Sequence, residues 1–142
     1  MPIITELNDI KRILQESKTV AVLGAHFEVS KAAYYVPRYL QSRGYDIFPV
    51  NAVYAEKEIL GKATLAKLSD LTTPIDLVDV FRRSEAIPEH LEDILSMRPL
   101  PKVVWLQLGI QNDEVAQQLS EAGIEVVQNR CTLADHQSFF GG

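Results

Sequence analysis

Short apolar runs that alternate with stretches of helical spacing constrain this chain more than any other feature. The runs are Thr19 to Leu23, Tyr45 to Val50, Ile75 to Phe81, Lys102 to Leu108 and Ile124 to Gln128. Thr19-Val20-Ala21-Val22-Leu23 is apolar on both of its faces, as a strand buried in a parallel sheet must be. Between the runs lie segments with the other periodicity. Thr5 to Ser17 places Leu7, Ile10, Ile13 and Leu14 on one helical stripe. Ser30 to Arg43 reads as a helix stopped by Gly44, and Asn112 to Ala122 as one stopped by Gly123. Pro88 to Met97 reads as a further helix. Leu60 to Lys67 is the least defined part and suggests a short extra strand and a turn.

Strands and helices that alternate in this way need crossover connections, which are right-handed and cover both faces of a parallel sheet. The fold class expected is therefore α/β. It is an open, doubly wound, Rossmann-like parallel sheet of about five strands with helices on both faces. Apolar residues make up 46% of the 142, enough to fill such a core. No repeat, low-complexity tract or linker interrupts the pattern, so residues 1–142 are expected to form one domain.

Charge and cysteine content exclude other classes. The net charge is −5 and no basic cluster offsets it, so neither nucleic acid nor an anionic membrane is an expected partner. No stretch approaches the roughly 20 apolar residues that span a bilayer. Met1 to Glu6 lacks the basic and apolar regions of a signal peptide. Cys131 is the one cysteine, which rules out an internal disulfide and suits a reducing compartment; a cytoplasmic location is expected.

In a doubly wound sheet, ligands sit beyond the carboxyl ends of the strands, where strand order reverses. After the first run the chain reads Gly24-Ala25-His26-Phe27-Glu28-Val29-Ser30-Lys31 and enters a helix. Glycine there lets the backbone approach a ligand, and the free N–H groups of a helix start suit a phosphate. Lys31 is a candidate phosphate partner, and Glu28 must point away from one. An ordinary strand-to-helix turn explains the same residues, because the G-x-G-x-x-G and P-loop patterns are both absent. After the second run stands Asn51, where an NAD-binding domain carries an acid. Asn51 is either a turn former or a hydrogen-bond partner for a nucleoside. After the third come Phe81, Arg82 and Arg83, a pair of arginines suited to a phosphorylated nucleotide or else to surface ion pairs. Gln107 and Gly109 follow the fourth, and Asn129, Arg130 and Cys131 end the fifth.

The ordered set of these pieces resembles the CoA-binding domain family. The resemblance rests on Val20 to Ala25, Val36 to Gln41, Gly44 to Asn51, Ile75 to Arg83, Val103 to Ile110 and Asn129 to Cys131. It runs from about Thr19 to His136. The family shares its fold with the N-terminal domain of the succinyl-CoA synthetase α subunit. The resemblance implies a ligand that is a small nucleotide-like molecule, coenzyme A or an acyl-CoA. Gly24 and Ala25 would form the turn under the diphosphate, with His26 and Lys31 beside it and Asn51 near the adenosine. Phe81 and Arg82 would line the floor. Gln107 and Gly109 would face the pantetheine, and Asn129, Arg130 and Cys131 would close the far end. Members commonly carry serine where this chain has His26. The second domain of the larger synthetase, with its phosphorylated histidine, has no counterpart here, so thioester formation by this chain alone is not expected.

Other classes remain open at this stage. Cys131, with Arg130 beside it and His136 five residues on, is a weak candidate for a catalytic thiolate acting on a thioester or nucleotide. A buried packing cysteine, or a partner for the CoA thiol, explains it as well. Cys131 follows a strand and is not expected to open a helix, and Asp135 is too close in sequence to His136 to orient it. An NAD(P)-binding domain is a further alternative, and so is a subunit that has lost its ligand. His90, between Glu89 and Glu92, reads as solvated. Asp76 and Asp79 read as structural, and no metal-ligand spacing is present. The sequence specifies no protein partner.

Overall fold

The computed structural model describes residues 3–141. The elements follow in the order α1 (Leu7–Glu16), β1 (Thr19–Leu23), α2 (Ala32–Ser42), β2 (Asp46–Val50), β3 (Glu58–Ile59), β4 (Lys62–Ala63), β5 (Leu77–Val80), α3 (Leu91–Leu95), β6 (Val103–Leu106), α4 (Asp113–Glu121), β7 (Glu125–Val127) and α5 (Thr132–Phe140). Strands β2-β1-β5-β6-β7 form one parallel sheet in that order. The chain winds outward from β1 to β2, then returns to the other side of β1 and proceeds through β5, β6 and β7. Strand order thus reverses at β1 and β5, which opens a crevice at their carboxyl ends.

The period of two along each strand builds two cores. Val20 and Val22 face a cluster with Ile10, Ile13 and Leu14 of α1 and Leu40 of α2. Ala21 and Leu23 face the other side, with Ile94 of α3 and Val115 and Leu119 of α4. Trp105 of β6 is wholly buried on the α1 side. The α/β class and the helices on both faces are as the sequence predicts.

Two local expectations need correction, and a third is made definite. A C-terminal helix, α5, begins directly after Cys131, so this cysteine caps a helix rather than merely ending a strand. Its buried face consists of Thr132, Asp135 and His136, and a polar buried face leaves no apolar stripe to detect. The segment expected as a helix over 88–97 begins earlier as a 3-10 turn, Ser84–His90, and only Leu91–Leu95 is α-helical. Pro88 lacks the N–H that an α-helical turn would use. The undefined region after β2 contains the antiparallel hairpin β3–β4.

Candidate functional site

Gly24 places the two central strands close together at the crevice. Its φ is +89°, and a Cβ added there would lie 2.6 Å from the Phe81 carbonyl oxygen. Only glycine meets both conditions. The loop that follows is held from three sides. Ala25 carbonyl accepts from Asn51 Nδ2 at 3.0 Å, and Asn51 Oδ1 accepts from the Val53 N–H at 3.0 Å. Asn51 is therefore both turn former and tether. The His26 N–H donates to the Ala33 carbonyl at 3.3 Å. That carbonyl lies four residues before Pro37, which has no N–H to claim it within α2. A proline inside α2 thus frees an acceptor for the loop after β1. Lys31 is the N-cap of α2.

The His26 ring closes the loop. Its Nδ1 accepts from the N–H groups of Phe27 and Glu28 at 2.9 and 3.0 Å. It stacks on Phe27 at 4.9 Å and meets the edge of Tyr54 at 5.1 Å. The Lys57 ammonium lies 4.4 Å above the Phe27 ring.

Across the crevice, Arg82 Nε donates to His90 Nε2 at 3.1 Å, and Glu89 lies 3.5 Å from its terminal nitrogen. His90 is half-buried rather than solvated as the sequence suggested. Burial, with the Arg82 charge beside it, holds its pKa below the ordinary value, so it serves Arg82 as a neutral acceptor. Arg83 is exposed and pairs with Glu85 at 3.4 Å.

Beneath the far end lies a buried polar triad. Gln107 Nε2 donates to Asp79 and, at 2.9 Å, to Thr132 Oγ1; Thr132 Oγ1 donates to Asp79 Oδ2 at 3.1 Å. Burial pushes the Asp79 pKa up to about 7, and the two hydrogen bonds only partly oppose this. Asn129, at φ 58°, accepts from the Gly109 N–H at 2.7 Å through Oδ1.

These elements enclose a cleft of about 900 Å3. It brings together Gly24, His26, Lys31, Asn51, Phe81, Arg82, Gln107, Gly109 and Cys131. Three candidates stand elsewhere. Ala25 is buried under the loop, Asn129 lies behind Gly109, and the Arg130 guanidinium is held by Asp135 at 2.7 and 2.8 Å. Sequence reasoning missed Val53, Tyr54 and Tyr35, which also line the cleft. The short turn Asn51-Ala52-Val53-Tyr54 carried the signal for two of them. It also missed Thr132, whose hydroxyl needs α5 to reach Asp79.

The two residues expected to activate Cys131 are engaged elsewhere, while Cys131 itself stands at the N-cap of α5. His136 Nδ1 is bonded to the Tyr39 hydroxyl at 2.8 Å, and the ring lines a separate cleft with Lys18 and Arg43. Arg130 is neutralised by Asp135. Among the described residues there is no cluster of metal-ligating side chains.

A family model described as a CoA binding domain matches residues 18–137, which include every segment that lines the cleft. The chain belongs to the CoA-binding domain family. It is 38% identical over 128 residues to the uncharacterized protein YneT of Bacillus subtilis, covering 90% of this chain and 92% of YneT. Among solved structures, cell-free ID.343 from Thermus thermophilus superimposes with a TM-score of 0.90 at 43% identity, over 96% of this chain and all of the other. The dinucleotide forming acetyl-coenzyme A synthetase 1 of Ca. Korarchaeum cryptofilum shares the fold. Its TM-score is 0.66 at 22% identity, over 84% of this chain and 27% of the synthetase. As a family member, the chain has the fold of a CoA-binding domain, and it spans about a quarter of the synthetase's length.

Proposed function

We propose that this chain binds coenzyme A or an acyl-CoA in the cleft at the strand carboxyl ends and performs no catalysis of its own. The observation that carries the reading is that the family match spans this cleft. Its lining combines three cations, Lys31, Arg82 and Arg83, the last paired with Glu85, with neutral groups such as Gln107, Leu108, Gly109 and Ile110. A ligand that carries both phosphates and an uncharged arm suits a lining of this mixed kind. Asn51, committed to Ala25 and Val53, supplies no carboxylate for the ribose of NAD. A cytoplasmic setting, in which Cys131 remains a thiol, belongs to this reading, and neither nucleic acid nor membrane is a partner in it.

Calorimetric titration with CoA tests it. Binding is expected in the parent, and Arg82→Ala is expected to weaken it by about 1.5–3 kcal/mol, the range for charge-assisted hydrogen bonds. Arg82 is 37% exposed and makes its bonds within one segment, so its loss leaves the core intact. An Arg82→Ala protein that folds and binds CoA as tightly as the parent would remove Arg82 from the site.

A further inference from the structure

The loop after β1 presents two adjacent backbone N–H groups, those of Phe27 and Glu28, to one acceptor. Convergent N–H groups of this kind form a cradle for an anion. Here the acceptor is the chain's own His26 Nδ1, and neither N–H has a backbone partner among the described residues. The His26 ring holding these donors belongs to a residue that lines the cleft, and Phe27 and Glu28 are not among the lining residues. Because Nδ1 accepts, the ring proton is on Nε2, which donates to the Tyr54 hydroxyl at 3.2 Å. The charged groups around it are Glu28, whose N–H it holds, Lys31 at the loop's end and Lys57 above Phe27.

The loop does not need this ring for its path. Asn51 holds the Ala25 carbonyl, the His26 N–H reaches Ala33, and the Lys31 N–H donates to the Glu28 carbonyl at 3.1 Å. The ring could therefore leave without the loop unravelling. Its stack on Phe27 and its bond to Tyr54 set the cost of leaving.

We infer that His26 is an internal occupant of the anion cradle, and that a phosphate-bearing ligand must displace its imidazole to reach the Phe27 and Glu28 N–H groups. This rests on the reading of the cleft as a CoA site, and it makes His26 a determinant of affinity. A neutral acceptor competes with the phosphate for the same two donors. Its removal strengthens ligand binding while it weakens the empty fold, because the two N–H groups then lose their protein partner.

The test compares parent, His26→Ala and His26→Asn, with CoA and inorganic pyrophosphate as probes. An asparagine oxygen occupies nearly the place of Nδ1 and keeps the competing acceptor. His26→Ala is expected to melt at a lower temperature than the parent yet bind CoA about tenfold more tightly, with pyrophosphate following the same order. His26→Asn is expected to bind as the parent does. In the parent, the 15N resonance of His26 Nδ1 is expected to leave its hydrogen-bonded position on addition of CoA. Binding by His26→Ala alone also supports displacement, with the ring fully closing the parent's site. If the parent binds CoA and His26→Ala binds it equally or more weakly, displacement is wrong and the CoA reading stands. If neither protein binds either probe, both fall.

Discussion

Raising the pH from about 4 to about 8 is expected to cost this fold on the order of 4 kcal/mol through one side chain, Asp79. Asp79 sits in β5, wholly buried, with Gln107 and Thr132 as its partners. Burial pushes its pKa up to about 7 from a reference value of 3.8. Between these values the folded chain retains a proton that the unfolded chain releases. The unfolded state binds fewer protons, so stability falls as pH rises, and the slope ends above about 7. Asp76 acts in the opposite sense. Burial favours its neutral form, but hydrogen bonds from the Lys18 and Thr19 N–H groups outweigh that and lower its pKa. The comparison that isolates Asp79 is therefore Asp79→Asn against the parent. Urea unfolding across this range is expected to show the fall in the parent and its absence in Asp79→Asn. Equal pH profiles would show that Asp79 has the same pKa in the folded and unfolded states.

Gly24→Ala is the second large effect. The new Cβ would lie 2.6 Å from the Phe81 carbonyl oxygen and 3.2 Å from its carbon, at a φ of +89°. The left-handed backbone costs about 1–2 kcal/mol and the collision with a strand end about 1–3 kcal/mol, so a loss of roughly 2–5 kcal/mol is expected. The flexible part of the surroundings, Arg82 Cδ at 3.3 Å, can yield, but the β5 backbone is held by β1 and β6. Gly44→Ala separates the two causes. Gly44 has φ +97° with nothing within 4 Å of an added Cβ, so only the backbone term, about 1–2 kcal/mol, applies there. Equal losses at the two positions in chemical denaturation would show that the β1–β5 approach is not what requires glycine at position 24.

The sheet was legible because its strands are apolar on both faces and its helices carry clear stripes. Thr19–Leu23 is a strand in both readings, residue for residue. What escaped was structure stabilised by polar contacts. The helix after Cys131 buries Thr132, Asp135 and His136 against Asp79, Arg130 and Tyr39, partners 53, 5 and 97 residues away in sequence. No local period announces such a helix. The same limit governs the site. The sequence located Gly24, Phe81, Arg82 and Gln107 at strand ends, since topology alone puts strand ends in the crevice. It did not reveal that His26 turns back on its own loop, that His90 supports Arg82, or that Asp135 takes the Arg130 charge. Each of these depends on which neighbour a side chain reaches, and that is decided by packing.

The central claim is that the cleft takes CoA, and a thermal melt with CoA set against NAD tests it most directly. A ligand that binds only the folded state at a hundred times its Kd adds about 2.7 kcal/mol, which for a chain of this size raises Tm by roughly 5–10 °C. The expected result is a rise of this order with CoA, increasing with its concentration, and none with NAD. A rise with NAD and none with CoA would contradict the account.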